Sequence, residues 1–77
     1  MKRKYNGWIL EARRERITGH HKGACVIGTQ GLDPDGVEMI ADSQSYGLGF
    51  GCKPTAPLLS DVLDEMEKEV NLIEEDR

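Results

Sequence analysis

Aromatic residues are scarce in this chain. Tyr5, Trp8, Tyr46 and Phe50 are all it has among 77 residues, so its core must be mainly aliphatic. Long apolar runs are missing as well. Nothing approaches the roughly 20 residues that cross a bilayer as a helix. The basic start, Met1 to Lys4, is not followed by the apolar stretch of a secretory leader. A cytoplasmic location is therefore expected, with Cys25 and Cys52 as thiols. A single disulfide between them is the alternative.

Site chemistry is equally thin. His20, His21, Cys25 and Cys52 are the only His and Cys residues, and they lack the paired short spacings of a zinc site. They read as a solvated histidine pair in a glycine-flanked connection and two buried thiols, with no metal. Gly47 to Thr55 is rich in glycine, but Pro54 separates Lys53 from Thr55. It is neither a P-loop nor G-x-G-x-x-G, so no nucleotide cofactor is expected. Ser43, Ser45 and Ser60 have no nucleophile-elbow context. A chain this short offers little room for a deep cleft. The expectation is a protein that is not an enzyme.

What the chain does have is charge, divided along its length. Residues 1–30 hold seven basic and two acidic residues, a net +5; residues 31–77 hold three basic and twelve acidic, a net −9; together they give −4. A basic start and an acidic end can pair with each other in one small fold, or each can face a partner.

The length fits one domain, residues 1–77, with a sheet over about 5–52 and a helix over about 56–74. Trp8 to Ile17 reads either way. As a helix, Asn6 caps its start; as a strand, Trp8, Leu10 and Ala12 share one face. We take the strand, because its bulky apolar residues cluster at one end instead of recurring at helical spacing. Ala24 to Thr29 reads as a short buried strand. Asp33-Pro34-Asp35-Gly36 is the clearest hairpin turn, since Pro presets φ and Gly accepts a positive φ after it. Val37 to Ala41 returns, with Val37, Met39 and Ala41 on one face and Glu38 and Ile40 on the other. Tyr46 to Cys52 alternates apolar residues with Gly47, Gly49 and Gly51, as a strand with one bare face or as a loop.

Pro54 and Pro57 end the sheet. Leu59, Val62, Leu63, Met66, Val70 and Ile73 then recur on one face of an α-helix. Thr55 is the expected N-cap, with Pro57 in the first turn. Glu74, Glu75 and Asp76 oppose the dipole at the far end, where fraying is expected. The fold class is α+β: a three- or four-stranded antiparallel sheet against one C-terminal amphipathic helix. A chain of this size buries only about 60% of its unfolded surface, so a homodimer is a further expectation.

Two charged surfaces are candidate contacts. Arg13, Arg14, Arg16 and Lys22 fit nucleic-acid binding, although on a strand Arg13 faces away from Arg14 and Arg16. The bland reading is a charged edge that discourages strand pairing. The helix carries Asp64, Glu65, Glu67, Glu69 and Glu74. Most acidic helix faces only keep a protein soluble. The sharper reading is a surface that docks on a basic host protein, such as a nucleic-acid-binding one.

The opening Met1-Lys2-Arg3-Lys4-Tyr5-Asn6-Gly7-Trp8-Ile9-Leu10-Glu11-Ala12-Arg13 resembles the start of short phage and prophage orphan proteins. These often begin with basic residues followed by Tyr-x-Gly-aromatic and an alternating strand. Small size, an acidic helix and the lack of catalytic motifs also resemble anti-CRISPR and related anti-defence inhibitors. The resemblance implies a mobile-element protein in a bacterial host cell that acts by binding. It transfers no functional residue. The leading expectation is an inhibitor or adaptor of a host protein, and the alternative is a small nucleic-acid-binding protein.

Overall fold

A computed structural model of the chain describes residues 1–16 and 24–77, and for Cys52 the backbone alone. Four strands, β1 (Lys2–Tyr5), β2 (Trp8–Arg16), β3 (Cys25–Leu32) and β4 (Glu38–Tyr46), form one antiparallel sheet in the order β1-β2-β3-β4. One helix, α1 (Leu59–Glu75), packs on a single face. The α+β expectation holds with four strands. No described helix is long and apolar enough to cross a membrane.

The sheet starts earlier than expected. Asn6 and Gly7, at φ +50° and +85°, form a two-residue turn that sets Tyr5 opposite Trp8. An Asn-Gly pair favours such a turn because both positions need positive φ. A β-carbon on Gly7 would sit 3.2 Å from Cγ of Pro34, so this turn packs against the β3–β4 turn. β2 alternates as expected: Trp8, Leu10 and Ala12 are buried, and Ile9 and Arg13 lie on the outer face. It ends at Arg16, and residue 17 lies outside the described residues.

The Asp33–Gly36 turn is where the sequence placed it. Asp33 N donates to Val37 O and Gly36 N to Asp33 O, both at 2.9 Å. Contrary to expectation, Glu38 and Ile40 do not share a face. Leu32 pairs with Glu38 but Gly31 pairs with Ile40, so Met39 is an extra residue on β4. The bulge turns Ile40 inward and leaves Met39 and Val37 exposed. Gly31 makes room for it: a β-carbon there would stand 3.1 Å from Ile40.

β4 runs on to Tyr46, and the sheet ends there, not near residue 52. Gly47 to Pro57 is a looped connection, with an isolated bridge between Leu48 and Pro54 and a short 3-10 turn over Phe50–Cys52. Gly51 has φ +76°, which a regular strand cannot accommodate. Phe50 is fully exposed. Thr55 is not the helix cap. Its hydroxyl donates to Gly47 O at 2.8 Å, and the N-cap position is Leu58, which makes no side-chain capping bond. Pro57 therefore precedes the helix.

The α1 stripe is the expected one. Leu63, Met66 and Val70 are buried against Trp8, Leu10, Ala12 and Ile40, with Leu59, Val62 and Ile73 around them. Each fully buried side chain of this size contributes about 1.5–3 kcal/mol. The far end of α1 is held where fraying was expected. Trp8 Nε1 donates to Glu74 at 2.7 Å, Arg77 pairs with Asp33 at 3.0 Å, and the Arg77 guanidinium lies 5.7 Å from the Trp8 ring centroid.

Candidate functional site

The two flanks of α1 meet different neighbours. α1 lies chiefly along β2, reaches Ile40 of β4 in the shared core, and is tied to β1 by polar side chains. On its β1 flank, Arg3 Nη1 lies 2.6 Å from both Asp64 and Glu67, and the Tyr5 hydroxyl donates to Asn71 at 2.9 Å. These hydrogen bonds, first to Asp64 and then to Glu67, raise the Arg3 pKa above its usual value. Part of the sequence's charge division is thus closed inside the fold.

Accordingly, the five expected contact carboxylates separate. Asp64 and Glu67 are held by Arg3. Glu74 accepts from Trp8 and lies 3.6 Å from Arg77. Glu65 pairs with Lys68 at 3.0 Å, both well exposed. Glu69 makes no ion pair among the described residues, and neither does Asp61 or Asp42.

Beside the opposite flank lies a groove of about 630 Å³ between α1 and β3–β4. Ile27, Thr29 and Ile40 of the sheet and Val62 and Met66 of the helix form its floor. Asp61, Glu65, Lys68 and Glu69 rise along one wall, with Asp64 at its outer rim, Asp42 and Gln44 on the other and Tyr46 and Pro57 toward one end. Asp42 and Gln44 lie on the helix side of the sheet, in register with Thr29 and Ile27, yet both are exposed. That side of the sheet is therefore uncovered over the part of β4 beyond Ile40. Asp42 also accepts the Ser43 amide at 2.8 Å, which occupies one backbone group of the strand.

Along α1, Asp61, Glu65 and Glu69 follow one another at four-residue spacing. Like charges at that spacing destabilise a helix by about 0.2–0.5 kcal/mol per pair. On the β1 flank a cation offsets the same kind of crowding. On the groove flank only Lys68 does so among the described residues.

The basic candidates do not form one surface. Arg13 sits on the outer face, 3.8 Å from Glu11, which also lies 3.9 Å from Lys2. Arg14 is on the helix side and donates to Pro57 O. Arg16 is exposed at the end of β2, on the same side as Arg14. Lys22, His20 and His21 lie outside the described residues, as does the Cys52 side chain, so the zinc grouping falls there too. Cys25 is a buried free thiol. No described serine hydroxyl of Ser43, Ser45 or Ser60 takes part in a side-chain hydrogen bond.

One cluster went unnoticed in the sequence. Asp33, almost fully buried, accepts the Val37 amide at 2.8 Å and the Asp35 amide at 2.9 Å and pairs with Arg77. The Val37 amide leads in holding its carboxyl below the usual range, helped by Arg77 and Asp35 and opposed by desolvation. Arg77 is correspondingly raised, mainly by Asp33. The signal that was available was the Asx-turn chemistry of an Asp two residues before Asp35-Gly36. No protein-family model, no curated protein and no solved structure matches this chain.

Proposed function

We propose that this chain is a small non-enzymatic binding protein of the phage or mobile-element type, acting in the cytoplasm of a bacterial host. It captures a basic host protein and thereby inhibits or modulates it. The observation that carries this reading is the distribution of carboxylates. Asp42, Asp61, Glu65 and Glu69 line a groove of about 630 Å³ and have a single described cation, Lys68, among them. Three of them repel one another along α1, an arrangement that favours a partner's positive charge over the isolated fold. The N-terminal resemblance supports the mobile-element origin, and the buried thiol of Cys25 suits a reducing compartment.

Among the first candidate contacts, Glu65 and Glu69 remain. Asp64, Glu67 and Glu74 already have partners in Arg3, Trp8 and Arg77, and Asp64 is also at the rim of the groove. The nucleic-acid reading is weaker, because Arg13 and the Arg14–Arg16 pair occupy opposite faces of β2, and a phosphate chain needs one continuous basic track.

The test is affinity capture with the chain immobilised, over a series of salt concentrations. The expected partner is basic and released by salt. It is lost to the Asp61→Lys, Glu65→Lys, Glu69→Lys triple variant once thermal melting has shown that variant to be folded. A partner held equally by the triple variant would refute the reading.

A further inference from the structure

We infer that the groove between α1 and β3–β4 is the seat of one arginine-bearing helix from the partner protein, lying alongside α1. This rests on the protein-binding reading above and specifies its occupant.

Space is the first argument. Four strands at about 4.8 Å spacing make a sheet roughly 19 Å wide. Helices pack side by side at about 8–10 Å, so this sheet has room for two and holds one. α1 packs along β2, with Ile40 of β4 in its core. Beyond Ile40 the layer is open over the later part of β4, where Asp42 and Gln44 are exposed beside the groove. The wall from Asp61 to Glu69 is about 12 Å long at 1.5 Å per residue, a little over two helical turns.

Chemistry is the second argument. Ile27, Ile40 and Met66 are nearly covered already, so the floor is a shallow apolar seam, unsuited to large apolar anchors. Long basic side chains fit it well: their methylenes lie on the seam and their heads reach the walls. Carboxylates on both walls, Asp42 on one and Asp61, Glu65 and Glu69 on the other, favour arginine over lysine for its forked donors. Tyr46 offers a ring toward the end of the groove.

The competing occupants fit less well. A second copy presenting its own α1 would bring the same carboxylates against these. An extended peptide added to the edge of β4 would compete with Asp42 for the Ser43 amide. Nucleic acid would meet an acidic wall.

The probe is a synthetic helix-forming peptide of alanine and arginine, about 14 residues or four turns, with the arginines on one side. A scrambled peptide of the same composition is the control. Titration into the labelled full chain should shift the amides of Thr29, Asp42, Gln44, Glu65 and Glu69 and leave Arg3 and Asn71 in place. Glu65→Gln with Glu69→Gln should weaken binding about tenfold, and Thr29→Trp, which fills the groove floor, should abolish it with the fold intact. Equal binding of the scrambled peptide, shifts on the β1 flank, or a dimer in sedimentation that is lost in Thr29→Trp would overturn the inference. In the capture experiment, a partner that needs the carboxylates but tolerates Thr29→Trp would defeat the helix seat alone. One that needs neither would defeat the wider binding reading as well.

Discussion

The two flanks of α1 carry the same residue types and do different work. Toward β1, Asp64 and Glu67 converge on Arg3 and Asn71 accepts from Tyr5. There the acidic residues fasten the helix to the sheet. Toward β4, Asp61, Glu65 and Glu69 face a groove across which stands another carboxylate, Asp42. Net charge does not distinguish the two sides. The difference is whether a neighbouring strand brings a cation within reach, and β1, the strand hidden in a basic run, is the one that does.

Three perturbations would break or sharpen that contrast. The largest effect is expected from Leu63→Ala, on the face of α1 buried in the core. It should cost about 2–5 kcal/mol in chemical denaturation. Val62→Ala, beside the groove and only partly buried, should cost about 1 kcal/mol. Equal losses would mean that the two side chains are covered alike.

Next is acid stability. Asp33 has a lowered pKa in the folded chain, so its contribution is present above the ordinary value of 3.8. It is lost as pH falls through the lower folded value, because the unfolded chain takes up the proton first. Asp33→Asn should therefore melt lower than the parent at neutral pH. The difference should shrink as pH falls below about 4. A difference that stays constant from neutral pH to strong acid would show that the carboxylate charge is not what holds the turn.

The smallest effects should come from the charged side chains of α1, and they should have opposite signs. Arg3→Met leaves Asp64 and Glu67 facing each other without their cation, so the melting temperature should fall, less so in high salt. Glu65→Gln with Glu69→Gln removes repulsion along the groove flank and should leave stability unchanged or raise it by a few tenths of a kcal/mol. If the groove pair proved as necessary to folding as Arg3, those carboxylates would be structural and not reserved for a partner.

Much of the fold was legible wherever one local rule decided the outcome. The α1 stripe follows from 3.6-residue spacing, the buried face of β2 from alternation, and the Asp33–Gly36 turn from Pro and Gly chemistry. The misses came where a distant residue decided. Lys2-Arg3-Lys4 reads as solvated charge until Asp64 and Glu67 are brought to Arg3, and Asn6-Gly7, read only as a possible helix cap, is a hairpin signal that was passed over. The inward turn of Ile40 depends on one extra residue, Met39, and on the absence of a side chain at Gly31. The groove was illegible because it is defined by what α1 leaves uncovered. Two of the three carboxylates of its helical wall, Glu65 and Glu69, were visible. Telling these apart from Asp64 and Glu67 required knowing which flank faces β1.

Trp8 is the only indole of the chain, is fully buried, and touches α1 through Glu74. Its fluorescence therefore acts as a built-in gauge of how α1 is seated on the sheet. Detaching the helix should shift the emission to the red as water reaches the ring. A helix settling into the groove across β3–β4 should leave the emission nearly unchanged. The chain thus carries an optical means of separating loss of fold from occupation of its groove, with no added label.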